Sequence, residues 1–233
     1  MSAVGDALAK GEPIACVLAR EEKRTIEAAV LLESLRGRGV PVLFESEREM
    51  RRLTSGDVAA EVVAVLGAPL AASLDELMAS PGVAVVLVGV RYPGNVGFIL
   101  RAAEVAGAAG VVVCNDWPLE GRQWREARRA SIRADRFFPV LEAEAASAVS
   151  AAHRAGRRVV GVETSGEETP WSIDFRLPLA LILGGESDGI PAPLLDSVDA
   201  LVRIPTLGVI PSYNVQAATS ILLGECLRQL TAD

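Results

Sequence analysis

Four continuous apolar runs dominate the second part of the chain. They read VAVVLVGV (residues 83–90), GVVVCND (110–116), RVVGVET (158–164) and LALILGG (179–185). A strand with one solvated face alternates apolar and polar residues, whereas a run that is apolar throughout is typical of a strand covered on both faces. The pattern predicts an α/β domain with a mostly parallel sheet and crossover helices, and ligand sites in such sheets form at the carboxyl ends of the strands.

The first 70 residues have a different pattern, in which short helical and strand-like segments alternate. We predict helices over residues 3–11, 21–39 and 46–54 and strands over 14–19, 40–45 and 61–66, which together form a small α/β layer structure. The segment GAPLAASLDELMASPG (67–82) follows as a linker with a short helix, which Ser73 and Glu76 open as a capping box. We therefore expect two domains, residues 1–69 and residues 70–233.

Composition limits the class of protein. Half of the 233 residues are apolar but only 4% are aromatic, so Ala, Val, Leu and Ile must form most of the core. No apolar run approaches the roughly 18 to 20 residues that span a bilayer, and the first residues lack the basic and apolar segments of a signal peptide. We expect a soluble cytoplasmic protein with no membrane partner.

Cysteine and histidine are too few to favour metal or nucleophilic chemistry. The cysteines Cys16, Cys114 and Cys226 have no C-x-x-C spacing, and His153 is the single histidine. We expect reduced, buried thiols and neither a zinc site nor a disulfide framework. His153 lies near the end of a predicted helix, where the helix dipole favours a histidine without any catalytic role, so Ser/His/Asp and Cys/His mechanisms are not expected.

One segment is strongly basic although the whole chain carries a net charge of −7. In residues 121–138, six arginines and two carboxylates give a net charge of +4, the arginines being Arg122, Arg125, Arg128, Arg129, Arg133 and Arg136. These side chains fit a solvated helical face with partners inside the fold, and they fit equally a surface that contacts RNA phosphates. Both interpretations stay open at this point.

The helix that follows the first buried strand contains an unexpected arginine. Arg101 stands among apolar residues in NVGFILRAAEVAGAA (95–109), and Asn95 has the residue type of an N-cap, so we predict that the helix begins there. An ion pair with Glu104, three residues further on, would account for Arg101 without a function. The spacing places Gly97, Arg101, Glu104 and Ala108 along one edge of the helix.

Two later segments combine glycine with polar residues. The strand in LALILGGESDGIP (179–191) ends at Gly184, Gly185 and Glu186, with Gly189 three residues beyond, which fits a tight turn or a close approach of backbone to a ligand. In VRIPTLGVIPSYNV (202–215), a short strand leads into a loop and then a helix that Ser212 or Asn214 could cap. Neither segment alone decides between a structural and a functional interpretation.

Taken together, the three segments resemble the SpoU family of RNA ribose 2'-O-methyltransferases. The resemblance rests on N-x-G-x-x-x-R-x-A (95–103), L-G-G-E-x-x-G (183–189) and I-P-x-x-G-x-x-P-S-Y-N-V (204–215), in this order, and covers residues 73 to 230. It implies the SPOUT fold, with a C-terminal trefoil knot in the catalytic domain and a homodimer. Residues 1–70 resemble, by pattern only, the L30e-like RNA-binding domain that often precedes it. Two departures are Tyr213, where the family usually has Leu, and SGDVAAEVV (55–63), where it commonly has HQG.

The resemblance implies transfer of a methyl group from S-adenosylmethionine to a ribose 2'-hydroxyl of folded RNA, without a metal, on ribosomal RNA in preference to tRNA. Arg101 matches the proposed catalytic residue, supported by Asn95, Glu186, Ser212 and Asn214. The cofactor would be held by the following residues: Leu183, Gly184, Gly185, Glu186, Gly189, Ile204, Gly208, Ser212 and Asn214. The basic stretch, from Arg122, Arg125, Arg128 and Arg129 to Arg133, would contact RNA.

Two other classes of function compete with this interpretation. The first is an RNA-binding module of the same fold that has lost its activity, for which Tyr213 leaves room. The second is another α/β enzyme that uses the glycine loops for nucleotide phosphates, against which the chain has no G-K-[ST] sequence. Binding of S-adenosylmethionine separates the first alternative from the enzyme.

Overall fold

The computed structural model describes residues 3–22, 24–54, 60–176 and 178–231. The chain divides into two compact units, Met1–Leu70 and Ala71–Asp233. Within the described residues, no helix has both the length and the apolar character that crossing a membrane requires.

The first unit is a three-stranded sheet with helices. Its elements are α1 (Ala3–Ala9), β1 (Ile14–Arg20), α2 (Ile26–Gly37), β2 (Val42–Glu45), α3 (Glu47–Leu53) and β3 (Val62–Leu66). The strand order is β2-β1-β3, with β1 parallel to β2 and antiparallel to β3. Thr25 and Ser46 cap α2 and α3 through their side-chain oxygens. The predicted alternation of elements is confirmed, although α2 begins after Thr25 and not at residue 21. Residues 55–59 of the SGDVAAEVV segment lie outside the described residues.

The second unit contains the two longest of the described helices and the larger sheet. Its elements are α4 (Leu74–Ala79), β4 (Ala84–Val88), α5 (Pro93–Val105), β5 (Gly110–Cys114), α6 (Gly121–Ala130), a 3-10 helix (Ala134–Arg136), β6 (Val140–Glu142), α7 (Ala145–Arg154), β7 (Arg158–Val162), β8 (Leu179–Gly184), α8 (Ala192–Leu195), β9 (Ala200–Val202) and α9 (Val215–Leu230). All four strands predicted from continuous apolar runs are present as β4, β5, β7 and β8.

The six-stranded sheet of this unit has the order β6-β5-β4-β8-β7-β9, and every pairing in it is parallel. Successive β4 residues point to opposite faces, Val85 and Leu87 into a core shared with α5, α6 and α9, and Val86 into a core shared with α4 and α7. The strands are therefore covered on both faces, as their continuous apolar sequences predict. Because β8 is inserted beside β4, the loops that follow these two strands lie next to each other.

Two sets of hydrogen bonds fix the segment around α4 at the start of this unit. Ser73 Oγ accepts the Glu76 backbone N–H at 3.3 Å, and the Glu76 carboxylate accepts the Ala72 N–H at 2.8 Å, so the predicted capping box is present with its return bond shifted by one residue. The buried guanidinium of Arg157 donates to the carbonyls of Met78 (2.6 Å), Gly82 (2.7 Å), Leu179 (2.9 Å) and Ser80. Arg157 thus ties the segment around α4 to the start of β8.

Two of the three cysteines are buried as predicted, and the histidine lies at the end of a helix as predicted. Cys16 and Cys226 are buried free thiols, and Cys114 is half-buried. Burial raises the pKa of the Cys114 thiol to about 12, so it stays protonated at neutral pH. His153 lies in the last turn of α7, partly exposed, with Nε2 3.2 Å from an Asp199 carboxylate oxygen.

Candidate functional site

A cleft of about 430 Å³ opens at the carboxyl ends of β7 and β8, beside the start of α9. This is the edge of a parallel sheet at which ligand sites form. The cleft is lined by Val162, Glu163, Thr164, Leu183, Gly184, Gly185, Glu186, Ser187, Gly189, Ile204, Ser212, Tyr213, Asn214, Val215 and Ala218. Eight of the nine residues predicted to hold a cofactor are among them, and Gly208 is not.

The wall formed by residues 184–189 requires glycine at two positions for steric reasons. A Cβ on Gly184 would overlap the backbone of Gly189 and Ile190, and a Cβ on Gly185 would overlap the carbonyl oxygen of Gly89. Gly189 has φ of +63° and bonds back to Gly185, its N–H lying 3.0 Å from the Gly185 carbonyl. The bond between Gly189 and Gly185 closes the turn, and Gly185 packs directly against Gly89, the residue that follows β4.

Glu163 is a site residue that the sequence interpretation missed. It follows β7 directly, lines the cleft, and its carboxylate accepts the backbone N–H of Ile190 at 2.5 Å. The same carboxylate oxygen would lie 2.7 Å from a Cβ on Gly189, which is a second reason for glycine there. Its position one residue beyond a buried parallel strand was the signal that could have identified it.

Three polar residues from separate motifs form one hydrogen-bonded chain at the rim of the cleft. Asn95 Nδ2 donates to Glu186 Oε1 at 2.5 Å, and Asn214 Nδ2 donates to Asn95 Oδ1 at 3.4 Å. Asn214 Oδ1 in turn accepts the Gln216 N–H at 2.9 Å and caps α9. The loop after β8 is thereby connected through α5 to α9.

Asn95 is not the N-cap of α5, so that prediction was wrong. The helix begins at Pro93, with Tyr92 as its N-cap residue, and no side chain caps it. Proline suits the first helical position because its missing N–H would have no helical partner there. Asn95 is the third residue of the helix, and its amide is consequently available to Glu186 and Asn214.

Arg101 lies on the exposed edge of α5, together with the exposed side chains of Phe98 and Val105. Within the described part of the chain it has no hydrogen bond or ion pair, and the alternative pairing with Glu104 is absent. Glu104 is half-buried, and burial raises the pKa of its carboxyl. Gly97 does not share the open edge, because it packs against Ala127 of α6 so closely that a Cβ would overlap the Ala127 carbonyl. Arg101 itself is not part of the cleft lining.

The third motif contributes both to the cleft and to an exposed loop. Ile204, Ser212 and Tyr213 line the cleft, whereas Gly208 lies in the exposed loop between Ile204 and Ser212. The same loop exposes three large apolar side chains: Leu207, Val209 and Ile210. Asn214, and not Ser212, is the helix cap, which leaves the Ser212 hydroxyl at the cleft without a capping role.

The basic stretch separates into two groups. On α6, Trp124 and Ala127 face the core while three exposed arginines lie at i, i+3 and i+7 on the opposite side; we call Arg122, Arg125 and Arg129 the arginine stripe. Arg128 forms an ion pair with Asp135, 2.7 Å between Nε and Oδ2. Arg133 is half-buried and has a left-handed backbone with φ of +59°. Of the six arginines in residues 121–138, the three of the stripe are exposed and the other three are half-buried.

The fold and the cleft define an α/β domain with a ligand site at the carboxyl edge of a parallel sheet, and comparison with known proteins specifies its family. The profile of the SpoU rRNA Methylase family matches residues 82–224. The chain therefore belongs to the SpoU rRNA Methylase family.

Relatives with assigned names are consistent with this membership. The chain is 31% identical over 202 residues to the 23S rRNA (guanosine-2'-O-)-methyltransferase RlmB of Ralstonia nicotianae, covering 85% of this chain and 81% of that protein. It is 31% identical over 217 residues to the protein of the same name from Haemophilus influenzae, covering 90% and 86%.

Solved structures share the fold. An AdoMet-bound rRNA methyltransferase from Sinorhizobium meliloti superposes with a TM-score of 0.63 at 28% identity, covering 97% of this chain and 84% of that one. The SpoU methyltransferase AviRb from Streptomyces viridochromogenes, in complex with AdoMet, gives 0.61 at 25% identity, covering 97% and 87%.

Proposed function

We propose that this chain transfers the methyl group of S-adenosylmethionine to a ribose 2'-hydroxyl of ribosomal RNA. The observation that carries the proposal is the hydrogen-bonded chain from Glu186 through Asn95 to Asn214, which brings three distant motifs to the rim of one cleft. The names of the relatives and the AdoMet-bound neighbours support the same reaction.

The cleft fits the cofactor in size and in chemistry. Its volume of about 430 Å³ lies within the range of about 300 to 1,000 Å³ typical of small-molecule sites. Backbone groups of the loop after β8, with the apolar side chains of Ile204 and Val215, would hold the adenosine, and the Glu163 and Glu186 carboxylates provide acceptors for its polar groups. When bound, S-adenosylmethionine supplies a methyl group already activated by a sulfonium charge.

The protein's part is then to position the hydroxyl and help it lose its proton. We assign this to Arg101, the exposed cation of α5 that has no partner within the described residues. An arginine side chain keeps its proton at physiological pH, so it does not serve as the base. Its fixed positive charge would orient the acceptor and stabilise the developing alkoxide, while water or an RNA phosphate takes the proton.

The remaining assignments extend the same proposal to the whole chain. Residues 1–69 act as an L30e-like RNA substrate-binding domain, and residues 70–233 as the SPOUT catalytic domain with its trefoil knot. The arginine stripe contacts RNA phosphates, since three like charges at helical spacing follow a polyanion without sequence preference. The protein works in the cytoplasm, where its RNA is found.

A homodimer is part of the proposal. Large apolar side chains are exposed around α5 and the loop before α9, at Phe98, Val105, Leu207, Val209 and Ile210. Several large exposed apolar side chains on α5 and in this loop favour a protein–protein contact there. Burial of this surface against a second copy would also enclose Arg101, which otherwise stands in solvent.

Calorimetric titration with S-adenosylmethionine tests the proposal at its first step. The wild-type protein and the Arg101→Ala variant should bind the cofactor with similar Kd, because Arg101 does not line the cleft. A wild-type protein that binds rRNA but not S-adenosylmethionine would instead be an inactive RNA-binding module, and Tyr213 in the cleft wall would be the first residue to examine by Tyr213→Leu.

A further inference from the structure

We propose that Arg91 and Asp188 form a latch that holds the cofactor-facing turn in its binding conformation, and that both act as positioning residues. Arg91 Nη2 lies 2.9 Å from Asp188 Oδ2. The inference rests on the proposed function, because it assumes that the turn at residues 185–189 faces S-adenosylmethionine.

The turn has a simple construction. Gly185 and Gly189 pair with each other, and the three residues between them, Glu186, Ser187 and Asp188, are exposed. One side of the turn lines the cleft. The opposite side contacts the segment between β4 and α5, and both carboxylates of the turn are directed at that segment.

The contacts on this opposite side involve residues between the end of β4 and the first turn of α5. The Arg91 backbone N–H donates to Glu186 Oε2 at 3.4 Å, and Asn95 donates to the other oxygen of the same carboxylate at 2.5 Å. Gly185 lies against the carbonyl of Gly89. In the second half of the turn, the Asp188 side chain makes the described contact with this segment, so the Arg91–Asp188 pair adds a tie to the half that Glu186 does not reach.

The expected effect is moderate because the pair is exposed. The side chains of Arg91 and Asp188 have 66% and 73% of their surfaces accessible. Exposed ion pairs change an equilibrium by a factor of roughly two to five. A latch of this strength raises the affinity for the cofactor by a small factor and leaves the rate of the chemical step unchanged.

Two other roles for Arg91 and Asp188 predict that loss of the one residue and loss of the other have opposite effects on binding. If Arg91 contacted RNA directly, its loss would weaken RNA binding, and loss of Asp188 would strengthen it. If the two charges acted on the net positive S-adenosylmethionine through space, the two losses would again have opposite effects on cofactor affinity. A latch needs both partners, so either loss must weaken cofactor binding in the same direction.

The experiment compares Arg91→Gln, Asp188→Asn and the charge exchange Arg91→Asp/Asp188→Arg with the wild-type chain. The matched control is the Arg154–Asp75 pair in the same unit, with 2.7 Å between its atoms and 62% and 74% exposure, changed to Arg154→Gln and Asp75→Asn. Three quantities are measured: the Kd of S-adenosylmethionine by calorimetry, amide hydrogen exchange of residues 185–190 in the cofactor-free protein, and kcat at saturating cofactor.

The latch predicts that each single variant raises Kd about two- to five-fold and speeds exchange of the turn by a similar factor, with kcat unchanged. The charge exchange should recover part of both losses, and the control variants should match the wild type. Unchanged exchange in both single variants, or shifts of Kd in opposite directions, would overturn the latch. A wild-type protein that does not bind S-adenosylmethionine would contradict the proposed function, and with it the cofactor role of the latch, whatever the exchange data show.

Discussion

The Asn95→Asp variant tests the hydrogen-bonded chain at the rim of the cleft. The substitution is nearly isosteric and replaces the Nδ2 donor, 2.5 Å from Glu186 Oε1, with a carboxylate oxygen. The bond to Asn214 survives, because the new side chain still accepts from Asn214 Nδ2. Among the described side-chain contacts of Asn95, the one with Glu186, between α5 and the loop after β8, changes from attractive to repulsive.

The magnitude follows from two terms. Loss of a hydrogen bond to a charged group costs about 1.5 to 3 kcal/mol. Repulsion between two carboxylates near 4 Å adds about 1 kcal/mol in a solvated setting, which applies because Glu186 is exposed. A total of about 3 kcal/mol corresponds to a roughly 150-fold decrease in kcat/KM. The variant should also melt below wild type, because the favourable interaction of an acidic residue with the first turn of α5, about 0.3 to 1 kcal/mol, offsets only part of this loss.

The assay is methyl transfer to rRNA across pH 5 to 8, with kcat/KM for the cofactor as the readout. Repulsion between like charges raises the pKa of the paired carboxyls, and the protonated form can donate the missing hydrogen bond. The deficit should therefore shrink as the pH falls. Adding Glu186→Gln supplies a donor opposite the introduced carboxylate and should restore most of the activity. Activity of Asn95→Asp within three-fold of wild type, or no recovery in the double variant, would refute the reasoning.

Four further variants test other parts of the account. Arg101→Ala should lower kcat by roughly 100-fold or more while leaving the Kd of S-adenosylmethionine within two-fold, and unchanged turnover would contradict its assigned role. Gly184→Ala should weaken cofactor binding at least ten-fold in calorimetry, because its Cβ would displace the backbone of the turn; wild-type affinity would show that the turn is not part of the site. Arg157→Met leaves four carbonyls, those of Met78 and Leu179 buried, without this donor; a loss of about 3 kcal/mol should lower Tm by roughly 6 to 12 °C in thermal denaturation, and an unchanged Tm would contradict it. Replacing the arginine stripe with alanine should reduce the slope of log K against log salt for RNA binding by about 2 to 3, whereas an equal slope would remove these arginines from the interface.

Hydrophobic patterning predicted much of the second unit. The four continuous apolar runs became β4, β5, β7 and β8, because strands buried on both faces carry an unbroken apolar sequence. The short strands were harder to place. β6 has three residues and follows Pro139, so it carries too little periodicity to be recognised. The short strand predicted at the start of residues 202–215 is present as β9, but it ends at Val202.

The sequence predicted most of the residues that line the cleft but not the contacts between them. Pro93 was the signal for the true start of α5, because proline suits the first helical position. A helix that begins at Pro93 places Asn95 inside its first turn and not at the N-cap position. The bond between Asn95 and Asn214 joins residues 119 positions apart. The bond between Asn95 and Glu186 depends on β8 lying beside β4, and sheet order is not encoded in the local alternation of apolar and polar residues.

The most direct test of the central claim is transfer of label from methyl-labelled S-adenosylmethionine to rRNA that lacks the modification, followed by nuclease digestion. The account predicts label on a 2'-O-methylated nucleotide with the wild-type chain and almost none with Arg101→Ala. Label on a base, or no label from a wild-type protein that binds both S-adenosylmethionine and the rRNA, would contradict it.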